Sequence, residues 1–386
     1  MIKHKPTIAL LMNAFWNNGA GLSGGDQRLI QIFDCLSGDY KIDVYTSADG
    51  RVAIGSKIAG AKIFQSPIGL NRGNLILAYA RRQRWATAMI NKKSYDLVYG
   101  SSDFLPDVWP CYKYKKKHPG TKWIQCVFHY YPNWRTRPGN KLSNLIASRA
   151  QKKSFELIKE LVDRVININF QVKDDLERDG FKKDKIAVNP CGIEIEYLSR
   201  LRAGKVPLTG SFIARLNPSK GIFDLPRVWR LVTDEVPSAK LNIIGGGSDK
   251  MRARLYDEIK KLELEKNINL LGFLSNDEAF KIIKSSEVFV FPSHEEGFGM
   301  AIAEALACSV PAVAWDLPVY SEVFPKGLIT VREGDITEMS RRILELFKNR
   351  QRAKRIVSGG RSFIRRYGWP SIAQAENKIL KSVLEK

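Results

Sequence analysis

Short runs of apolar residues alternate along the whole chain with longer segments whose apolar positions recur at helical spacing. The segments include "DQRLIQIFDCLS" and "ITEMSRRILELFKNR", where apolar residues near i, i+3 and i+4 predict amphipathic helices. The runs consist of Val, Ile, Leu and Phe, which is typical of strands buried on both faces of a parallel sheet. Predicted strands are "TIALLMNAF", "IDVYT", "YDLVYG", "KWIQCVF", "RVININ", "IAVNP", "PLTGSFIARL", "KLNIIGGG", "NINLLGF", "EVFVFP" and "VPAVAW". This alternation predicts an α/β protein with doubly wound parallel sheets.

The predicted strands are too many for one compact sheet of this kind. The stretch "CGIEIEYLSRLRAGKVPLTG" interrupts the alternation near residue 200. We therefore expect an N-terminal α/β domain over residues 1–200 and a second over residues 201–369, followed by a last amphipathic helix over residues 370–386.

The composition excludes several classes of protein. The 386 residues are 44% apolar and 26% charged, as in ordinary globular chains. Five scattered cysteines include no CxxC pair, which argues against a disulfide framework and for a reducing compartment. The four histidines have no metal-binding spacing, so we expect no structural metal. No apolar run approaches the roughly 20 residues that span a bilayer.

The net charge of +22 is concentrated in one part of the chain. Residues 72–153 contain 17 Lys and Arg residues against 3 Asp and Glu residues, and aromatic residues are interspersed among them. An anionic membrane surface would suit such a patch. Single-stranded nucleic acid is the rival ligand. Because no nucleic-acid recognition motif occurs, we do not expect nucleic acid, and a non-catalytic nucleic-acid-binding protein remains the alternative hypothesis.

Ligands of open α/β sheets bind at the carboxyl ends of strands, so the loops that follow strands are the informative places. In "SFIARLNPSKG", Arg215 follows a strand, and Lys220 stands where the next helix is predicted to open. Both cations could face one diphosphate, or both could be solvated surface residues. In "GLSGGDQR", Gly24 and Gly25 open a helix whose N-terminus favours an anion. The stretch "LNIIGGGSDKM" lacks the third glycine of a dinucleotide fingerprint and disfavours a dehydrogenase.

The segment "PSHEEGFGMAIAEALACSVP" places two carboxylates eight positions apart. Glu296 lies in a glycine-rich turn, and Glu304 lies in the middle of an otherwise apolar helix. An unpartnered carboxylate is costly to bury, so Glu304 either lies on a narrow solvated stripe or faces a polar ligand. A pair of sugar or ribose hydroxyls would suit it, because a carboxylate accepts two such hydrogen bonds.

Taken together, these motifs resemble glycosyltransferase family 4. The resemblance rests on "GLSGGDQR", "VFHYYP", "VNPCGIEIEYL", the R-x4-K-G loop, the E-x7-E segment after "PS", and "YGWPSIA", and it spans nearly the whole chain. It implies a GT-B fold, with two Rossmann-like domains facing across a cleft, and a last helix that crosses back to the first domain. It also implies retaining transfer of a sugar from a nucleotide-sugar donor (UDP- or GDP-linked) to a glycan or lipid-linked acceptor without a metal or other cofactor.

The resemblance also implies a role for individual residues. Glu296 would bind the donor sugar, and Glu304 the ribose hydroxyls. Arg215 and Lys220 would clamp the diphosphate, and His129 would hydrogen-bond the sugar, although His129 could equally be a packed histidine at a strand end. The remaining donor contacts would come from Gly24, Gly25, Phe273, Phe298, Gly299 and Met300.

The family often has a glycine where this chain has Cys308 and Ser309. The expected setting is cytoplasmic, with peripheral contact to the inner face of an anionic membrane through residues 72–153, in the synthesis of cell-surface glycans or glycolipids.

Overall fold

The computed structural model describes residues 5–15, 22–71, 75–131, 133–135, 137 and 140–385. Part of the predicted Gly/Asn loop (residues 16–21) and Arg72 of the basic patch lie outside these residues. The described residues form two compact units. The first comprises residues 5–191 with the gaps just given, together with residues 369–385, and the second comprises residues 192–368.

The first unit contains a seven-stranded parallel sheet in the order β3-β2-β1-β4-β5-β6-β7. Its strands are β1 (Thr7–Met12), β2 (Lys41–Thr46), β3 (Lys62–Gln65), β4 (Leu97–Gly100), β5 (Lys122–Cys126), β6 (Arg164–Asn167) and β7 (Ile186–Val188). Its helices are α1 (Gly24–Cys35), α2 (Ala48–Ile54), α3 (Leu75–Ile90), α4 (Leu105–Lys117), α5 (Lys141–Leu161), α6 (Phe170–Arg178) and α15 (Trp369–Leu384). The strand order reverses between β1 and β4, as in a doubly wound sheet.

The second unit contains a six-stranded parallel sheet in the order β10-β9-β8-β11-β12-β13. Its strands are β8 (Thr209–Ile213), β9 (Lys240–Ile244), β10 (Ile268–Gly272), β11 (Val288–Phe291), β12 (Ala312–Trp315) and β13 (Leu328–Val331). Its helices are α7 (Ile195–Arg200), α8 (Asp224–Glu235), α9 (Asp249–Lys261), α10 (Asn276–Ser285), α11 (Met300–Ala307), α12 (Pro318–Val323), α13 (Ile336–Lys348) and α14 (Arg350–Ile364). Both units confirm the predicted class of doubly wound parallel sheets.

A buried ion pair fixes α15 within the first unit. Arg28 of α1 donates to the Glu376 carboxylate of α15 at 2.7 Å, and neither side chain is exposed to solvent. Asn189 and Tyr99 also donate to Glu376. Burial, the largest single influence, would lower the pKa of Arg28, but the Glu376 charge together with the nearby Cys126, Tyr99 and Cys191 leaves that pKa above its ordinary value. Each buried charge offsets the desolvation cost of the other, so separating the two helices would leave both charges unpaired. The pair therefore holds α15 against α1.

Two helices of the second unit end with a residue other than glycine in the left-handed region. Ser309, with φ 62°, follows α11, and Glu263, with φ 57°, follows α9. After α11, the Val310 amide donates to the Ala305 carbonyl and the Ser309 amide to the Leu306 carbonyl. This is the Schellman arrangement, in which glycine is preferred because it has no Cβ. Ser309 therefore occupies a position where the backbone conformation favours glycine.

Candidate functional site

The loops after β8 and β11 lie side by side at the carboxyl edge of the second sheet. These two strands are neighbours, and the chain winds outward from them in opposite directions. The place where strand order reverses is where open α/β sheets bind ligands. The loop after β8 carries Arg215 and Lys220, and the loop after β11 carries Glu296. The fold thus brings together cations and a carboxylate that are separated by more than 70 residues in sequence.

Main-chain contacts hold the two loops against each other. The His294 amide donates to the Ser219 carbonyl at 2.8 Å. Gly221 has φ +69°, and a Cβ at that position would lie 1.8 Å from the Pro292 carbonyl oxygen. Any other residue at position 221 would push the loops apart. Gly221 follows a 3-10 turn, Pro218–Lys220, and α8 begins only at Asp224, so the predicted helix start at Lys220 was slightly early.

Lys220 and Glu296 form an ion pair across the loop junction. The Lys220 Nζ lies 2.6 Å from Glu296 Oε1, and their side chains are 21% and 12% exposed. Lys220 also donates to the Glu295 carbonyl at 3.0 Å, and the Ser293 hydroxyl donates to Glu296 Oε1 at 3.0 Å. An ammonium has three N–H donors, so one donor of Lys220 remains for a ligand. Among the described residues, Glu296 Oε2 also has no hydrogen-bond partner.

The carboxyl group of Glu304 lies in a desolvated position and has no hydrogen-bond partner among the described residues. It lies half-buried in α11, and no described residue donates a hydrogen bond to it. Burial, reinforced by the nearby charge of Glu194, raises the pKa of Glu304 to about 8. A fully solvated stripe would not produce such a pKa shift. The observation favours the hypothesis that Glu304 faces a polar ligand.

Helix α11 begins directly after the loop that carries Glu296. Gly299 caps the helix with φ +90°, and a Cβ there would lie 3.0 Å from the Phe324 ring. Phe298 is buried, and its ring packs against Phe324 and Tyr367. The Phe298 side chain therefore anchors the loop in the core, and only its backbone is available to a ligand. The amides of Phe298, Gly299 and Met300 stay predicted contacts.

Arg215 and Phe273 are both exposed at this edge of the sheet. Arg215 has no hydrogen-bond or ion-pair partner in the part of the chain that the structure describes. Phe273 follows β10, two strands from β8, and is 64% exposed. An exposed phenyl ring and an unpaired guanidinium can stack on and bind a planar, anionic ligand such as a nucleotide.

A histidine clamp in the same loop was not predicted from the sequence. His294 Nε2 lies 2.9 Å from Asp224 Oδ2, and its Nδ1 lies 2.5 Å from Glu333 Oε1. The hydrogen bond to Asp224 is the main cause that raises the pKa of His294 to about 9, and Glu333 adds to it. The imidazolium therefore joins the loop after β11 to α8 and to the loop after β13. The position of His294 between Ser293 and Glu296 was its only sequence signature.

The first unit gathers the other predicted residues at the carboxyl edge of its own sheet. Ser23 caps α1, and Gly24 and Gly25 form its first turn. A Cβ on Gly25 would lie 2.8 Å from the Phe128 ring, next to His129. The fold therefore places Gly25 beside the loop that carries His129, which is half-buried.

A buried carboxyl group close to His129 was also missed by the sequence analysis. Asp103 follows β4 and accepts a hydrogen bond from Gln151 Nε2 at 2.7 Å. Gln151 also donates to the His129 carbonyl at 3.0 Å. Burial raises the pKa of Asp103, against the opposing effect of His129. The acid in "SSDF" directly after a predicted strand was the available signature.

Comparisons with known proteins define first the class of the fold. A sucrose-phosphate synthase from Thermosynechococcus elongatus superimposes with a TM-score of 0.78 at 16% identity, covering 98% of this chain and 99% of that one. Anabaena HepE, solved in complex with UDP-glucose, superimposes with a TM-score of 0.76 at 17% identity, covering 98% of this chain and 100% of that one. Together with the two doubly wound sheets, these neighbours support the predicted GT-B fold.

The sequence comparisons then identify a domain of one family. Residues 205–363 match the family Glycosyl transferases group 1, so the second unit carries a domain of that family. An uncharacterized glycosyltransferase of Methanocaldococcus jannaschii is 25% identical over 228 residues, 57% of this chain and 60% of that protein. A second one from the same organism is 34% identical over 146 residues, 35% of this chain and 34% of that protein. A phosphatidyl-myo-inositol mannosyltransferase of Mycobacterium leprae is 26% identical over 206 residues, 50% of this chain and 53% of that protein. The matches thus span between about a third and three fifths of these relatives.

Proposed function

We propose that this chain is a metal-independent, retaining glycosyltransferase of family 4 that moves a hexose from a nucleotide-sugar donor to a glycan or lipid-linked acceptor. The observation that carries the proposal is Glu304, a desolvated carboxyl group with no partner among the described residues. It lies on the helix that follows the Lys220–Glu296 loop junction. Two adjacent ribose hydroxyls would supply the hydrogen bonds that the described part of the protein does not.

The cations at the loop junction would stabilise the leaving group. When the bond between the sugar C1 and the phosphate oxygen breaks, the nucleoside diphosphate gains negative charge. The spare N–H of Lys220 and the guanidinium of Arg215 are donors that can be aimed at this charge. The N-terminus of α11 adds backbone N–H groups and a favourable dipole. Such fixed donors need no reorganisation as the charge develops.

Glu296 would hold the transferred sugar. Oε1 is occupied by Lys220 and Ser293, which fixes the orientation of the carboxylate and leaves Oε2 for a sugar hydroxyl. In retaining transfer, the acceptor hydroxyl attacks from the face that the leaving group departs from, and its proton passes to the leaving phosphate. No protein side chain is then required as the general base.

Release of nucleoside diphosphate from nucleotide sugars tests this proposal. The wild-type chain should release it from one donor class, and Glu296→Gln should lose at least tenfold in turnover while its melting temperature stays close to wild type. Glu196→Gln, on an exposed carboxylate of the same unit, is the matched control and should behave as wild type. A folded Glu296→Gln variant with full turnover would refute the assigned role. Absence of release from any UDP-, GDP- or ADP-sugar would refute the function.

A further inference from the structure

The N-terminal half of α5 lies beyond the carboxyl edge of the sheet in the first unit. The C-terminal part of α5 packs on α4, where the Tyr112 hydroxyl donates to the Glu160 carboxylate at 3.1 Å. Gln151, halfway along α5, lies at the carboxyl edge of the sheet, because it binds Asp103 and the His129 carbonyl. The ten residues before Gln151 therefore form a helical segment, about 15 Å long at 1.5 Å per residue, that projects beyond that edge.

This projecting segment has a distinct exposed face. Leu142, Ile146, Arg149 and Lys153 are exposed and recur at intervals of three or four residues, so they share one side of the helix. On the opposite side, the hydroxyl of Tyr131, which precedes α5, donates to the side chain of the buried Asn144 at 3.1 Å. Leu142 is 66% exposed and lies nearest the tip. The face is thus apolar at its tip and basic closer to the sheet.

Two neighbouring helices present exposed apolar residues at the same end. All three helices begin where a strand of the sheet has ended, and α4 packs on both α3 and α5. The Tyr79 ring of α3 lies 6.4 Å from the Phe104 ring at the start of α4. We define the apolar rim as the exposed large apolar residues at these helix starts, namely Leu75, Ile76, Leu77, Phe104, Leu142 and Ile146. Six of the thirteen such residues in the described chain fall on this rim, so they are concentrated and not scattered.

The exposed charge around the rim is predominantly positive. Exposed cations flank it, including Arg81, Arg84, Lys141, Arg149 and Lys152. Of the acids at this edge, Asp103 and Asp107 are buried, and Asp26 and Asp49, at the starts of α1 and α2, are half-buried. Asp96 lies at the other end of β4. Aliphatic side chains that protrude among exposed cations are suited to the headgroup region of an anionic bilayer.

Other occupants fit this surface less well. A second copy of the chain would bring the same positive charge against it. Single-stranded nucleic acid is bound by aromatic rings that stack on bases, whereas five of the six rim residues are leucine or isoleucine. We propose that the apolar rim and its flanking cations dock the chain on an anionic lipid bilayer, with the tip of α5 inserted among the headgroups. This inference rests on the proposed function and extends it. Docking on the bilayer would present a lipid-linked acceptor to the first unit.

Sedimentation with vesicles, in the absence of any sugar donor, tests the inference. The full chain should bind vesicles of equal parts phosphatidylcholine and phosphatidylglycerol and should not bind phosphatidylcholine alone. The double variant Leu142→Glu/Ile146→Glu should reduce the partition coefficient by at least about tenfold. Val52→Glu/Val206→Glu adds the same charge at positions 82% and 50% exposed outside the rim, and it should bind nearly as wild type.

Each result supports or overturns the inference. Equal binding by both double variants would show that net charge alone attracts the chain to the vesicles. It would overturn the inference that the rim residues insert among the headgroups. Binding to single-stranded oligonucleotide without binding to vesicles would overturn the inference of membrane docking and would favour nucleic acid as the ligand of this surface. Vesicle binding by a chain that cleaves no nucleotide sugar would leave the docking intact and refute the proposed function. Melting curves of both variants should match wild type, because all four positions are exposed.

Discussion

The proposed role of Glu304 predicts that nucleotide binding depends on pH. The pKa of about 8 means that most of the free protein carries a neutral Glu304 at pH 7. If ribose hydroxyls donate to the carboxylate, binding must release this proton. The deprotonated fraction rises about fifty-fold between pH 6 and pH 8, which corresponds to about 2.3 kcal/mol of binding free energy. Affinity should therefore increase with pH across this interval.

Titration calorimetry in buffers of different ionisation enthalpy measures both the affinity and the proton released. The assay uses whichever of UDP, GDP and ADP binds most tightly. At pH 7, wild type should release nearly one proton from Glu304 when the nucleotide binds, and Glu304→Gln should not release it. The affinity of the variant should therefore lack the part of the pH dependence that Glu304 causes. The ionisation of the nucleotide phosphate affects both proteins equally, so the difference between them isolates Glu304. Glu196→Gln, with an exposed carboxylate, should match wild type.

The reasoning would be refuted if wild type and Glu304→Gln released the same number of protons and showed the same affinity at each pH. Glu304 would then titrate without contacting the nucleotide, and its unpartnered, desolvated position would need another explanation.

Three further predictions concern stability. Ser309→Gly should raise stability by about 1 kcal/mol in urea unfolding, because the left-handed position following α11 favours glycine; a loss would contradict this account of its backbone. Arg28→Met should cost about 3–5 kcal/mol by leaving Glu376 buried and unpaired, and adding Glu376→Met should restore most of the loss; equal costs for single and double variants would argue against the buried pair. The pKa of His294 is raised from 6.5 to about 9, so the ion pairs it makes contribute stability that is fully present below pH 6.5 and lost as pH rises through 9. His294→Ala should accordingly be less stable than wild type near pH 6 and approach it above pH 9, and a constant difference across this range would exclude a charged clamp.

The central strands could be predicted from sequence because they are buried on both faces. Strands such as Val288–Phe291 and Ala312–Trp315 are entirely apolar, and the structure confirms them. Two edge strands, Lys62–Gln65 and Leu328–Val331, were missed. The first has no fully buried position and the second has one, so neither carries the continuous apolar run that identifies a central strand.

The candidate site was predictable where a residue type was out of place for its local environment. Glu304 was identified because an apolar helix does not otherwise contain a carboxylate, and the structure adds the shifted pKa that favours a ligand. His294 and Asp103 were missed because their significance depends on partners far away in sequence: His294 on Asp224 and Glu333, and Asp103 on Gln151. No local pattern predicts a clamp assembled from two loops and the start of a helix that are far apart in sequence.

The surface around the basic patch could also be predicted only in part from the sequence. Its net charge could be counted from the sequence, but the exposed leucines and isoleucines beside it could not be separated from core residues. The helical repeat predicts which residues share a face, whereas the position of α5 relative to the carboxyl edge of the sheet depends on where Gln151 contacts Asp103. Exposure of Leu142 and Ile146 therefore became evident only with the fold.

Nucleotide-induced thermal stabilisation tests the central claim most directly. At a ligand concentration one hundred times Kd, binding should stabilise the folded chain by about 2.7 kcal/mol and raise the melting temperature by several degrees. We expect such a shift with one of UDP, GDP and ADP, or with the corresponding sugar conjugates, and a much smaller shift in Lys220→Ala and Glu304→Gln. Unchanged melting with every nucleotide, or an equal shift in wild type and both variants, would contradict a donor site at the junction of the loops after β8 and β11.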